Sequence, residues 1–103
     1  MIKVNVLYPA ADGAQFDMDY YLNQHTPMLR ARFGTALTSI AIEHGLAGSA
    51  PETPASFIVL CHLGFASVEA FQTAFAPHAA EIMGDVANYT NVQPIIQISD
   101  VKL

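Results

Sequence analysis

The stretch that most restricts the fold is residues 56–65, Ser-Phe-Ile-Val-Leu-Cys-His-Leu-Gly-Phe, because it is apolar almost throughout. Successive side chains of a strand project to opposite faces of its sheet. One face therefore receives Phe57, Val59, Cys61 and Leu63, and the other receives Ile58, Leu60 and His62. Such a pattern is typical of a strand that is covered on both sides.

The first half of the chain predicts a strand, helical structure and a second strand. Residues 2–8 alternate apolar and polar side chains, which indicates a strand. Asp17 is typical of a helix N-cap, and the Thr26-Pro27 pair fits an N-cap and a first helical residue. We therefore expect two short helices that abut next to this pair, followed by a strand over residues 36–44.

The second half repeats this order. Residues 45–54 contain two Gly and two Pro and predict a loop before the apolar strand. Ser67 is placed to cap a second helix, which Pro77 interrupts. Residues 92–101 predict the last strand, and Pro94 within it favours an edge position or a bulge.

The resulting order, βαββαβ, predicts a ferredoxin-like α+β sandwich that forms a single domain over residues 1–103. Two helices cover only one face of a four-stranded sheet, so the second apolar face needs another cover. The chain is 52% hydrophobic and only 13% charged, whereas about 25% charged residues is usual in soluble domains. A homodimer with its sheets packed face to face buries this surplus most simply.

Charge and composition exclude several classes of partner. The formal net charge is −5 and Arg30 and Arg32 are the only close basic pair, so we expect no nucleic-acid partner. No apolar run approaches the ~20 residues of a membrane span, and we expect no membrane partner. The lone Cys61 lies in the apolar strand, which is typical of an inert thiol in a reducing cytoplasm.

His25 is the leading candidate for chemistry. It lies one helical turn after Tyr21, so both side chains face the sheet. One interpretation is that His25 acts as a general acid or base in a small pocket. The other is that it is a core histidine bonded to the backbone. Asp85 ends the second helix and is placed either to orient His25 or to cap a local turn with Asn88. Tyr20 points about 100° away from Tyr21, towards the pocket rim or the surface.

We also expect Tyr8, His44 and His62 among the residues that bind a ligand. No two histidines have the spacing of a metal site, so we expect no metal and no other cofactor.

Two groups of motifs together resemble one family. The first is Leu7-Tyr8-Pro9 followed by Phe16-Asp17-x-x-Tyr20-Tyr21-x-x-x-His25-x-Pro27. The second is Phe71, Ile82, Asp85, Asn88, Tyr89-Thr90 and Pro94-x-x-Gln97-Ile98-Ser99. The chain resembles the EthD family of the dimeric α+β barrel superfamily over nearly its whole length, and departs from its pattern at Met28, where a leucine is usual.

The resemblance implies a ferredoxin-like protomer whose sheet forms a barrel with that of a second subunit. It places the family's histidine on His25, its paired tyrosines on Tyr20 and Tyr21, and its acid and amide on Asp85 and Asn88. The founding member is associated with ethyl tert-butyl ether degradation beside a cytochrome P450 system. Related domains act as cofactor-free monooxygenases, muconolactone-type isomerases, polyketide dehydratases or cyclases, and haem-handling proteins.

Two functions fit these residues. The first is a catabolic enzyme that performs acid/base chemistry of the isomerase, dehydratase or monooxygenase type on a small apolar or aromatic metabolite. In this function His25 moves the proton, and Asp85 or Tyr21 orients the His25 side chain. The alternative is a non-catalytic binding or accessory protein of a degradation pathway. Haem is not expected, because two short helices leave space for a smaller ligand.

Overall fold

The sheet places the apolar stretch at its centre. The computed structural model describes residues 1–103, and its four strands are β1 (Ile2–Pro9), β2 (Ser39–His44), β3 (Phe57–Phe65) and β4 (Ile95–Asp100). They form one antiparallel sheet in the order β2-β3-β1-β4. β3 lies between two other strands and packs against the helices, and this central position explains why its residues are mostly apolar.

The helices pack on one face of this sheet. Their bounds are α1 (Met18–Tyr20), a π-helical turn (Tyr21–His25), α2 (Thr26–Phe33), α3 (Val68–Phe75) and α4 (Ala79–Gly84), with short 3₁₀ turns at Gly34–Ala36, Ala76–His78 and Val86–Asn88. The architecture is the predicted ferredoxin-like α+β fold. No helix is long and apolar enough to cross a membrane.

The prediction of two separate short helices that meet before Pro27 is wrong, because the helical structure does not end there. The backbone N–H of Thr26 donates to the Tyr21 carbonyl five residues earlier, and the Thr26 hydroxyl donates to the same oxygen at 2.8 Å. Pro27 has no N–H to satisfy, so the helix continues through it after one wide turn. Residues 18–33 are therefore a single helical stretch with one extra residue in its middle.

Of the three predicted N-caps, Asp17 and Ser67 are confirmed, whereas Thr26 lies inside a helical stretch. The Asp17 carboxylate accepts from the backbone N–H of Tyr20 at 3.0 Å, and the Ser67 hydroxyl accepts from that of Ala70 at 3.0 Å. Each bond satisfies a donor that has no partner inside its helix. The two helical stretches thus begin where the sequence places them.

Two strands are shorter than predicted. β2 begins at Ser39 because residues 34–36 form a 3₁₀ turn, and β4 begins at Ile95, directly after Pro94. Proline has no N–H for the sheet ladder, so pairing starts behind it.

The two faces of the sheet differ in cover. The helix-side residues Val4, Val59 and Cys61 are at most 2% exposed and form the core with the helices. No element packs on the opposite face, here called the open face, which carries Leu7, Leu60 and His62 among others. The core therefore occupies one side of the sheet only.

Candidate functional site

An apolar cavity of about 190 Å³ lies between the helices and the sheet. Of its 17 lining residues, 15 are hydrophobic. Two of them, Met83 and Ile96, are also 40% and 47% exposed, so the cavity reaches solvent between α4 and β4. Because a cavity of about 150 Å³ admits benzene, this volume suits one substituted ring.

Aromatic side chains flank the cavity in two groups. The phenylalanine cluster consists of Phe33, Phe65, Phe71 and Phe75. The tyrosine cluster consists of Phe16, Tyr8, Tyr21 and Tyr89. Both contribute side chains to the lining, so a ligand in the cavity contacts aromatic rings at either end.

His25 and Asp85 form a hydrogen-bonded pair beside the tyrosine cluster. His25 is 3% exposed, and its Nδ1 lies 2.8 Å from Oδ2 of Asp85. A carboxylate only accepts, so Nδ1 carries the proton and Nε2 of the neutral ring keeps a lone pair. His25 lines the cavity, and no side-chain nitrogen or oxygen of the protein is both buried and unpaired. Since Nε2 has no partner in the chain, it is open to the cavity.

The protonation states of this pair follow from its surroundings. Burial lowers the pKa of His25, although Asp85 works in the opposite direction. Burial opposes ionisation of Asp85, but hydrogen bonds from Asn88, Tyr20 and His25 outweigh it and hold the pKa of the carboxyl below its usual range. At neutral pH the pair is therefore a neutral imidazole facing the cavity and an ionised carboxylate behind it.

Two further side chains fix Asp85 from its outer side. The Tyr20 hydroxyl donates to Oδ1 at 2.7 Å, and the Asn88 amide donates to the same oxygen at 2.8 Å. The bond to Asp85 raises the pKa of Tyr20, so its hydroxyl remains a donor. Neither residue lines the cavity, so both act on His25 only through the carboxylate.

Tyr89 is the site residue that sequence reasoning missed. Its hydroxyl lies 2.7 Å from that of Tyr8, and its ring centroid lies 4.7 Å from that of His25. Its carbonyl accepts from the Asp17 backbone N–H at 2.7 Å, which ties it to the start of α1. The signal available was spacing, since Tyr89 follows Asp85 by four residues.

The structure separates the predicted site residues into three groups. Tyr8, Tyr21 and His25 line the cavity; Asp85, Tyr20 and Asn88 form the network behind His25; His44 and His62 lie outside it.

The two outlying histidines are displaced for simple reasons. His62 projects from the open face because it alternates with buried Cys61, and His44 is exposed at the last residue of β2. Neither histidine lines this cavity, and their role in ligand binding stays a prediction. No three His, Cys, Asp or Glu side chains converge in the arrangement of a metal site.

A four-stranded antiparallel sheet with helices on one face defines the class as a ferredoxin-like α+β protein. Residues 9–93 match the model of the EthD domain. The chain belongs to the EthD family.

Solved structures agree with this assignment. The chain is similar to an EthD-like protein from Ralstonia eutropha JMP134, with 48% identity, coverage of 99% of this chain and 92% of that one, and a TM-score of 0.94. An EthD family protein from Bacillus halodurans C-125 shares the fold at 18% identity, with 99% of both chains covered and a TM-score of 0.67. HapK from Hahella chejuensis also shares the fold, at 8% identity, with 92% of this chain and 90% of that one covered and a TM-score of 0.52. No curated protein matches the chain significantly.

Proposed function

We propose that this EthD-family protein is a small cytoplasmic enzyme of catabolism that moves a proton on an apolar or aromatic metabolite, with His25 as the general acid or base. The observation that carries the proposal is the 2.8 Å bond between Nδ1 of His25 and Asp85, which leaves Nε2 open to a dry cavity. The cytoplasm fits the single thiol of Cys61, which is buried and unpaired.

The electrostatics of the pair suit proton abstraction. A neutral imidazole accepts a proton at Nε2, and the imidazolium that forms is stabilised by the adjacent carboxylate of Asp85. Tyr20 and Asn88 hold that carboxylate in place, so it does not need to reorganise as charge develops. The roles are therefore general base for His25 and orienting carboxylate for Asp85.

Three reaction types fit one proton-transferring group in an apolar cavity. Isomerisation, dehydration and cofactor-free oxidation each depend on removing or adding a proton beside a carbonyl or phenol. An apolar lining excludes water from such a step and strengthens every electrostatic contact within it.

The alternative is a non-catalytic binding or accessory protein of a degradation pathway. The lining favours this reading too, because 15 of 17 residues are hydrophobic and a ligand needs few polar contacts to be oriented. In that case His25 supplies a hydrogen bond instead of a proton-transfer step.

A ligand screen followed by turnover assays separates the two. Thermal shift with aromatic and lactone metabolites identifies ligands, and each hit is then assayed for chemical change with wild type and His25→Gln. For an enzyme we expect the rate to fall by ~10²–10⁴ while affinity changes little. His44→Gln, an exposed histidine outside the cavity, is the matched control and keeps the wild-type rate. If every ligand is recovered unchanged, with and without oxygen, the binding function replaces the catalytic one.

We also propose that the functional unit is a homodimer that closes over the open face. Leu7, Ile58, Leu60 and Ile95 make one half of this face apolar. Its other half is a hydrogen-bonded polar network, in which His62 bonds Asn5 at 2.7 Å and Asn5 bonds Ser99 at 3.3 Å. A satisfied network beside an apolar patch suits burial against a second copy of the same surface.

Sedimentation tests the dimer. Obligate interfaces of this type bury about 2,000 Å² or more in total, so we expect a stable wild-type dimer at micromolar concentration. Leu60→Asp should unfold the protein, because it places a charge in the middle of the contact. Leu22→Asp, on the helix surface where Leu22 is 45% exposed, should remain a folded dimer. A stable wild-type monomer at that concentration would rule the dimer out.

A further inference from the structure

Two buried hydroxyls form a hydrogen-bonded pair at the wall of the cavity. The hydroxyls of Tyr8 and Tyr89 lie 2.7 Å apart, and either one can donate to the other. Both residues line the cavity, and their two hydroxyls are here called the hydroxyl row. The Tyr89 ring packs against the His25 ring.

The direction of the hydrogen bond in this row is free to reverse. Hydroxyl hydrogens rotate, and each group both donates and accepts. When Tyr8 donates to Tyr89, the Tyr89 O–H is left to donate into the cavity, and the bond that Tyr89 accepts strengthens the one that it donates.

Every member of the row stays neutral. Burial raises the pKa of Tyr8 and that of Tyr89. The row is thus a set of neutral donors across the ordinary pH range, next to a neutral base at His25. It has no charge of its own to repel a negative oxygen.

We propose that the hydroxyl row is an oxyanion site and that the cavity binds phenols or enolisable ketones, whose oxygen accepts from Tyr89 while their proton passes to Nε2 of His25. This inference rests on the proposed function, since it names the substrate class of the same site. For a phenol the O–H bond breaks, its electron pair stays on the oxygen as phenolate, and the new N–H bond forms at Nε2. For a ketone a C–H bond beside the carbonyl breaks and the charge moves to the carbonyl oxygen as an enolate.

The placement of base and donor supports this assignment. The His25 and Tyr89 rings are in contact and both line the cavity, so a ligand there meets the two side chains together. Hydrogen bonds to a charged oxygen are worth more than those to a neutral one. The row is therefore expected to prefer the anion that forms when His25 takes the proton.

Equilibrium binding of 4-nitrophenol, with 4-nitrotoluene as the isostere that lacks the hydroxyl, tests the proposal. At a pH one unit below the phenol's solution pKa, we expect wild type to prefer 4-nitrophenol and to show the phenolate absorption of the bound probe. Tyr89→Phe should reduce that preference by about 10- to 100-fold, the scale of one hydrogen bond to a charged group. Tyr8→Phe interrupts the row and should cause a smaller loss.

Phe75→Leu is the control, since it reshapes the apolar wall without touching a hydroxyl. It should shift both affinities together and keep their ratio. If Tyr89→Phe and Tyr8→Phe both keep the wild-type ratio, the hydroxyl row is not an oxyanion site.

The same experiment separates this inference from the proposed function. If the preference depends on Tyr89 but bound 4-nitrophenol stays protonated, the row stands and His25 is not the base. If the phenolate absorption is lost in His25→Gln yet the preference ignores Tyr89, the base stands and the row is overturned.

Discussion

The phenylalanine and tyrosine clusters pack at similar distances and differ in what they carry. The Phe33 and Phe65 centroids lie 5.2 Å apart, and those of Tyr21 and Tyr89 lie 4.8 Å apart. The phenylalanine cluster has no polar atom, whereas every polar group near the cavity belongs to or adjoins the tyrosine cluster. Packing alone therefore does not distinguish the two ends of this core, whereas the hydroxyls and the imidazole do.

Core truncation is the strongest test of this difference. Phe65 is fully buried, so Phe65→Ala should lower the free energy of unfolding by about 3–5 kcal/mol. Tyr89→Phe removes one hydroxyl and keeps the ring, so it should cost about 0.5–1.5 kcal/mol. Denaturant unfolding at one protein concentration measures both. Equal losses would show that the tyrosine cluster is as important for stability as the phenylalanine cluster.

Acidification should act first on the tyrosine end. Below about pH 6.5 an unfolded chain protonates His25, whereas the folded protein resists because burial lowers the pKa of this residue. Stability therefore falls as pH drops below this value. It falls again below about pH 3.8, where unfolded Asp85 binds a proton that the folded carboxyl refuses.

His25→Gln identifies the first of these two steps. Unfolding free energies measured from pH 7 to pH 5 should fall in wild type and stay nearly flat in His25→Gln. His44→Gln, whose imidazole is exposed, should retain the wild-type slope. A slope that survives in His25→Gln would assign the pH dependence to another group.

The two N-caps give the smallest expected effect. Ser67→Ala, on the helix that carries Phe71, and Asp17→Ala, on the helix that carries Tyr21, should each cost about 1 kcal/mol of stability. Only Asp17→Ala should also weaken ligand binding, because α1 positions Tyr21 and His25. The rise in melting temperature that a ligand causes measures its binding to each variant. Equal weakening of binding in the two variants would contradict this prediction.

The fold was predictable because its signals are local. Strand alternation, N-caps and Gly- or Pro-rich loops define the element order without reference to distant residues. The π-helical turn was not predictable, because Thr26-Pro27 fits a helix start equally well as the continuation of a widened helix.

The site was predictable only in part. His25 follows from its helical stripe, but its bond to Asp85 joins residues 60 positions apart. Sequence periodicity shows which face a residue occupies and not which partner it meets across the core. His62 shows what periodicity does predict. Because His62 alternates with Cys61 along the strand, its place on the opposite face of the sheet follows from the sequence.

Because of the π-helical turn, the arrangement of the site depends on how many residues this segment has as well as on which residues they are. It has the form of a one-residue insertion in a regular helix. Loss of one residue there, such as exposed Asn23, restores ordinary helical bonding and leaves the helical residues on either side in register. Within the turn, however, Tyr21 and His25 would be three residues apart instead of four, which places them about 60° apart around the helix axis. Tyr21 then leaves its stacked position on His25, whose ring now lies 14° from parallel with it. A shorter relative would thus keep the fold, the histidine and the tyrosine, yet lack the arrangement that joins them.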